Sequence, residues 1–488
     1  MLARQPATSS HLSPGAQGSV SIALPIPHSA AGGPGNSRKP AQVVMIEGNG
    51  NGEILRAADS ALGCEDNSYA RIRSSMQRMR LWNGGKMENI STGRRDFLMQ
   101  AGLMGSVAMM AGLPQRAMAM GGGHGRIIED AVLPQAQESD APKYHIKFAV
   151  CGMSHDHIYG MVGAVQRGGG ELVAAWGGEE DKVAAFKKRF PDVKIVKTQE
   201  EILDDPSVQL VLSSQIANER APLAVRAMKQ GKDFLSDKPG MTTLEQLAEV
   251  RRTIAETERI YAIMYSELLE VKAAVYAGVL VKQGAIGKVI QTINIAPHQI
   301  VQRGGDAGGA APRPAWFWNP EQYGGILCDI GSHQVDQFLF YTGSQQAEVV
   351  ESQVANVRHP EHPQFQDFGD MVLRGDRGLG YVRLDWFTPD GVGTWGDGRL
   401  FILGTDGYIE VRKYTNITVK QQGNNLFIVD NKQARYIDCN NMPLPFGSQF
   451  VADIVNRTHL AQNLDECLLA AELVLKAQKN AQVVTLKA

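Results

Sequence analysis

Ile146-Lys-Phe-Ala-Val-Cys151-Gly-Met-Ser-His-Asp-His157 reads as a short apolar strand running straight into a glycine turn. A helix is expected next, over residues 158–167. The alternation continues outward: strands over 171–176 and 208–213, helices over 181–190 and 221–230, then an apolar run, 234–236, ending in Asp237-Lys238-Pro239-Gly240. A helix over 243–257 and a strand over 260–264 follow. Short apolar strands that alternate with helical segments make parallel βαβ units, because a parallel pair needs a crossover connection. This first domain is expected to span 144–265.

Beyond it the pattern changes. A helical segment over 268–283 leads into 289–295. Val-, Ile- and Tyr-rich runs follow at 347–357, 367–373, 378–386, 400–403 and 408–411, separated by Gly/Asp turns as antiparallel strands are. Closing helices are expected over 446–456 and 466–479. Within this part lies Tyr323-Gly-Gly-Ile-Leu-Cys-Asp329-Ile-Gly-Ser-His333-Gln-Val-Asp336. On one continuous helix Asp329, His333 and Asp336 would stand at i, i+4 and i+7 on a common face, a carboxylate beside an imidazole. A capped helix with a solvated polar stripe is the competing reading, as a solvated loop lysine is for Lys238.

The two motifs, in this order and separation, resemble those of the Gfo/Idh/MocA family of nicotinamide-dependent oxidoreductases. Members carry an acid-Lys-Pro motif after the parallel strands and a GG-x-x-x-D-x-G-x-H segment in the second domain. The resemblance covers residues 144–488. It implies an α/β chain: an N-terminal Rossmann dinucleotide-binding domain (144–265), then a C-terminal α/β substrate domain (266–488) with an open, mainly antiparallel sheet facing the cofactor cleft. It further implies that Lys238, Asp329 and His333 contact the reacting hydroxyl. His333 is assigned as general acid/base, since imidazole titrates near neutrality. Lys238 would stabilise developing alkoxide charge, and Asp329 would fix the imidazole or bind a neighbouring hydroxyl. Asp336 is read as structural. A cis bond is expected before Pro239, as in family counterparts.

The cofactor fingerprint departs from the rule. A dinucleotide fold uses G-x-G-x-x-G so that the backbone can approach a pyrophosphate seated on the helix N-terminus. Here Gly152, Met153, Ser154 and His157 stand in that stretch, and only the first glycine survives; an N-cap by Ser154 or Asp156 is the alternative. Gly177 and Gly178 follow the second strand, and Glu179 just beyond is expected to meet the ribose 2′-hydroxyl. A carboxylate there repels a 2′-phosphate, which favours NAD and leaves NADP as the alternative cofactor. Ser213, Ser214, Gln215 and Asn218 are expected near the nicotinamide ribose, with Arg220 where the family usually has His. Asp237 and Lys238 complete the cofactor contacts. Trp316 and Trp318 are read as stacking on a sugar ring, with core packing the alternative for one of them. His359-Pro-Glu-His362 reads as a polar turn, and no metal site is expected.

The chain has 488 residues, 43% hydrophobic and 20% charged, with a formal charge of −2. That is ample for two cores and gives no electrostatic case for nucleic acid. No apolar run is long enough for a stable membrane span. The five cysteines show no metal or C-x-x-C spacing. Residues 1–86, rich in Gly, Ser, Pro and Ala, are expected to lack regular structure. Arg94-Arg95-Asp-Phe97-Leu98, the apolar stretch to Leu113 and Ala117-Met-Ala119 resemble a twin-arginine signal peptide over 87–119. Translation is then expected to start near Met87, with a linker over 120–143. The expected protein is exported by the twin-arginine translocase to the periplasm, homo-oligomeric, and an oxidoreductase acting on a sugar, cyclitol or similar polyol. An NAD-dependent glycosidase and a non-catalytic ligand sensor of the same superfamily are the alternatives.

Overall fold

Three strands, β1 (Val20–Pro25), β2 (Val43–Gly48) and β3 (Ile54–Ala57), pair antiparallel in the order β1-β2-β3 within residues 1–105. Val43-Val-Met-Ile46 and Ile54-Leu55 are short apolar runs that suit strands, and the rest of 1–86 beyond the three strands lies outside the described residues. The computed structural model describes residues 20–25, 43–48, 54–57, 141–303, 310–311, 313–418 and 422–485. Residues 87–119, expected to be a signal peptide, and the expected linker up to residue 140 lie outside the described residues.

The second unit begins with the alternating region. Its elements are β4 (Ile146–Cys151), α1 (His157–Arg167), β5 (Gly170–Trp176), α2 (Glu180–Arg189), β6 (Lys194–Ile195), α3 (Glu200–Leu203), β7 (Leu210–Ser213), α4 (Ala217–Lys229), β8 (Asp233–Asp237), α5 (Leu244–Thr257) and β9 (Tyr261–Met264). The six strands are all parallel, in the order β6-β5-β4-β7-β8-β9. β7, β8 and β9 are buried throughout, and their apolar stretches, Leu210-Val-Leu212, Phe234-Leu235 and Tyr261-Ala-Ile-Met264, face no water on either side. The strand order reverses on either side of β4, so a crevice opens at the C-terminal ends of β4 and β7, the place where open α/β sheets bind ligands.

The remainder comprises α6 (Ser266–Leu269), α7 (Lys272–Lys282), β10 (Val289–Pro297), β11 (Gln302–Arg303), β12 (Ala310–Ala311), α8 (Pro320–Tyr323), α9 (Ile326–Asp329), α10 (Gly331–Thr342), β13 (Ala347–Ala355), β14 (Phe368–Gly375), β15 (Leu379–Asp385), β16 (Arg399–Gly404), β17 (Gly407–Arg412), β18 (Asn425–Asp430), β19 (Ala434–Asp438), α11 (Phe446–Asn456), α12 (Leu464–Asn480) and β20 (Gln482–Val483). Nine strands form one mixed, mostly antiparallel sheet, β19-β18-β17-β16-β10-β15-β14-β13-β20. Only β10 with β15 and β13 with β20 run parallel. The helix α10 packs on β10 and β15, and α12 packs on α10 and β13.

Two expectations change. The catalytic segment is not one helix: α9 stops at Asp329, and α10 starts at Gly331. A Cβ at Gly331 would come within 2.9 Å of Met371, so this turn seats directly on the sheet. The first closing helix, placed by sequence in the second domain, belongs to the first one's core. Phe446, Phe450, Val451 and Ile454 of α11 pack with Phe148, Met161 and Val165. Burying each such side chain is worth about 1.5–3 kcal/mol. The helix pair comes so close that a Cβ on Gly168 would lie 2.1 Å from the Gly447 carbonyl oxygen. The four described cysteines are buried and unpaired.

Candidate active site

β8 delivers Asp237 to the crevice, where it is wholly buried. Each oxygen takes an imidazole: His157 Nδ1 stands 2.9 Å from Oδ1 and His155 Nδ1 3.0 Å from Oδ2. The Lys238 amide donates to Oδ1 at 2.7 Å, and Arg220 Nη2 lies 3.1 Å from Oδ2. Burial alone would raise this carboxyl, but Arg220, followed by the two imidazoles, holds it well below the ordinary carboxylate range. Burial, with His157 beside it, pulls His155 down to about 4 against the attraction of Asp237. His155 is therefore neutral at pH 7 and donates its Nδ1–H.

Arg220 is 2% exposed and also donates to the carbonyls of Gln215, at 2.7 Å, of Lys238 and of Pro239, at 3.0 Å. This residue, expected beside the nicotinamide ribose, is instead the clamp that holds the acid-Lys-Pro turn. The Lys238–Pro239 bond is cis, as expected.

Across the crevice, Lys238 Nζ donates to Asp329 Oδ1 at 2.8 Å. Lys238 is 4% exposed, which excludes the solvated-loop reading. Burial pushes Asp329 up, but Lys238 outweighs it and the carboxyl is lowered, so the pair is ionic. Asp329 therefore does not orient His333, which corrects the first of its two expected roles. His333 is 2% exposed, its Nδ1 has no partner, and burial drives its pKa well below the ordinary imidazole value. Glu267 stands behind it, held by Lys413 Nζ at 2.6 Å and Gln334 Nε2 at 2.9 Å. Burial opposes ionisation of Glu267, but Lys413, His333 and His298 bring it to about 2. Asp336, also buried, faces Tyr265 and Cys467 and is raised well above the usual range by burial. It is 2% exposed, so the solvated-stripe reading fails.

The cofactor stretch lies at the C-terminal end of β4. Gly152 has φ +100°, and a Cβ there would lie 2.5 Å from Gln215 Cβ. Only glycine suits that position. Ser154 is buried, and the neighbouring loops are laced together: His155 N donates to the Ser214 carbonyl (2.9 Å) and Ser214 Oγ to the His155 carbonyl (2.7 Å). α1 begins at His157 with no side-chain cap, so the N-cap reading of Ser154 or Asp156 fails and the helix N-terminus suits a phosphate. Glu179 precedes α2 at the end of β5 and lies close enough to Glu219, at the start of α4, to raise its pKa alongside burial. Ser213 and Gln215 line the end of β7, and the buried Asn218 Oδ1 has no partner. These residues fit a dinucleotide. His155, His157 and Asp237 also bring three ligand-type atoms within 4.8 Å of one another. However, the carboxylate already carries a buried guanidinium, and a dication there would sit against it.

Residues 146–265 match the family model described as the oxidoreductase family, NAD-binding Rossmann fold, and residues 275–410 match the GFO/IDH/MocA C-terminal domain. A solved structure of a candidate oxidoreductase from Erwinia carotovora atroseptica SCRI1043 is 42% identical, with TM-score 0.66, covering 70% of this chain and 100% of that one. The chain belongs to the Gfo/Idh/MocA family. Among curated relatives, D-xylose dehydrogenase of Paenarthrobacter nicotinovorans is 25% identical over 157 residues, 32% of this chain and 39% of that protein. The 1,5-anhydro-D-fructose reductase of Ensifer adhaerens is 27% identical over 197 residues, 39% and 54% respectively. This chain thus spans between roughly four tenths and just over half of the length of these two relatives.

Within this Gfo/Idh/MocA frame the tryptophans part company. Trp316 lies toward the crevice, its ring 6.4 Å from that of His155. Trp318 instead stacks on His362 at 3.9 Å and 15° and packs against Phe365 and Phe317. It is partly buried in this aromatic cluster, whereas Trp316 stands beside the crevice histidine. His359 and His362 close the polar turn, with His359 Nδ1 3.0 Å from Asp367 Oδ2. Sequence reasoning did not select Glu267, Lys413, His298 or Arg313. Burial lowers His298 to about 4, and its ring packs on Trp395. The Arg313 guanidinium lies over Phe317 and Trp386, and burial lowers it to about 10. Glu267 had a usable signal: it follows β9 directly, at the C-terminal edge where such sheets bind ligands.

Proposed function

We propose that the chain is an exported NAD-dependent oxidoreductase acting on a hydroxyl or carbonyl of a sugar, cyclitol or related polyol. The observation that carries this reading is the ion pair between Lys238 and Asp329, which joins motifs 91 residues apart beside a buried imidazole with a free Nδ1. The relatives named for D-xylose and 1,5-anhydro-D-fructose support the substrate class. NAD, when bound, supplies the hydride acceptor. Gly152, Met153, Ser154 and the start of α1 hold its phosphates, Glu179 its adenosine ribose, and Ser213, Ser214, Gln215 and Asn218 the nicotinamide side.

The residues then divide the work. Lys238 donates to the reacting oxygen and steadies negative charge as its proton departs. Asp329 keeps Lys238 charged and aimed, and accepts from a neighbouring hydroxyl. His333 accepts the proton on its imidazole; the neutral form that burial favours is the form a base needs. Glu267, ionised behind it, offsets the imidazolium charge that follows.

The deciding experiment screens D-xylose, myo-inositol and scyllo-inositol with NAD, and 1,5-anhydro-D-fructose with NADH. Lys238→Met and His333→Asn are expected to lower turnover about 100-fold or more while circular dichroism stays unchanged. Wild-type rates in both variants would refute the site. For export, Arg94→Lys with Arg95→Lys is expected to abolish periplasmic recovery. A protein exported folded, away from free NAD, is expected to keep its dinucleotide and to run as a homo-oligomer through gel filtration; empty protein in the periplasmic fraction would count against this.

A further inference from the structure

His157 stands where a dinucleotide fingerprint has its last glycine, yet its side chain turns into the crevice. Its Nδ1 is 2.9 Å from Asp237 Oδ1, and its ring centroid is 6.3 Å from that of His333. A gap of that order is one that a single water can bridge. His333 is 2% exposed, whereas the His157 side chain is 38% exposed. Oxidising one hydroxyl with a nicotinamide as oxidant releases one proton per turnover. If that proton lodges on a buried imidazole, it must leave before the next cycle.

The other neighbours of His333 offer no exit. Glu267 is 2% exposed, and one oxygen is taken by Lys413 and Gln334. The Tyr265 hydroxyl donates to the Cys467 carbonyl in the interior, and burial raises its pKa well above the usual phenol value. Asp329 is tied to Lys238, and Asp336 is buried on the inner side of α10. Lys413 is itself buried on Glu267. Of these groups His157 reaches furthest from the buried base to solvent, its side chain 38% exposed against 16% for Asp329.

We propose that His157, anchored by Asp237, is the exit through which the proton collected at His333 passes to solvent. With Nδ1–H donating to Asp237, Nε2 is the atom that receives the proton through the bridging water. The resulting imidazolium is stabilised by the buried carboxylate and returns the proton to bulk water. No other bond changes. His157 is thus a proton-transfer residue outside the set that touches the substrate oxygen. The inference rests on the oxidoreductase reading, and the test separates the two.

The full chain is assayed with whichever of D-xylose, myo-inositol or scyllo-inositol it oxidises, with NAD. His157→Ala and His157→Gln are both expected to lower turnover about tenfold or more, and added imidazole restores much of the lost rate. NAD titration followed by protein fluorescence reads any cofactor role of the same side chain separately, and turnover is compared at saturating NAD. In a single turnover with a pH-indicator dye, NADH is expected to appear at the normal rate while proton release lags. Wild-type turnover in both variants at saturating NAD, or a loss that imidazole does not relieve, would overturn the relay. If the unmodified protein reduces NAD with none of the three polyols, the oxidoreductase reading falls, and the relay with it.

Discussion

Replacing Arg220 by Met tests whether this residue is the clamp of the acid-Lys-Pro turn or a cofactor contact. The guanidinium is 2% exposed, compensates a carboxylate with no exposure, and donates to three backbone carbonyls. Met keeps most of the apolar stem and removes every donor. Breaking a buried pair by deleting one partner costs about 3–5 kcal/mol, because the remaining charge is stranded. The orphaned carbonyls push the cost toward the upper end of that range. Adding Asp237→Asn removes the stranded charge, so the double variant is expected to recover about 2 kcal/mol relative to Arg220→Met.

The pH dependence has a definite sign. The folded-state pKa of Asp237 lies below its unfolded value, chiefly through Arg220 acting against burial. Its stabilising contribution is therefore complete above about pH 5 and is lost as pH falls below about 4. The gap between wild type and Arg220→Met is expected to be widest at neutral pH and to shrink on acidification. Urea unfolding followed by tryptophan fluorescence at pH 7 and pH 4 reads both effects. A variant within about 1 kcal/mol of wild type that loses NAD affinity instead would refute the clamp and restore Arg220 to the cofactor.

Two further outcomes are open to measurement. Burial, only partly opposed by Lys282, raises Glu466 to about 7, so wild-type stability is expected to decline as pH rises from about 4.5 through 7; Glu466→Gln should flatten that slope, and identical urea midpoint differences between pH 5 and 8 in both proteins would contradict it. At the adenosine end, NAD is expected to bind more tightly than NADP and Glu179→Ala to narrow the gap, by fluorescence titration; tighter NADP binding by the unmodified protein would remove Glu179 from that role.

The sequence by itself determined what local pattern controls. The short apolar runs alternating with helical segments placed the βαβ units, and the glycine at 152 marked the crevice turn, because strand burial and positive φ are written in consecutive residues. The acid-Lys-Pro and GG-x-x-x-D-x-G-x-H segments located Lys238, Asp329 and His333, since each motif is contiguous. Tertiary structure alone decided who faces whom. Asp329 and His333 lie four residues apart, yet the carboxylate goes to Lys238 across the crevice. Arg220 turned inward to a buried charge because Asp237 had to be compensated. Trp316 and Trp318 look equivalent in the sequence but diverge on a single turn of 3₁₀ helix, one toward the crevice and one into an aromatic cluster. The last helices show it most simply. Their periodicity is plain, yet which core α11 completes depends on a close backbone approach at Gly168 and Gly447, between residues too distant in the chain for any local pattern to couple them.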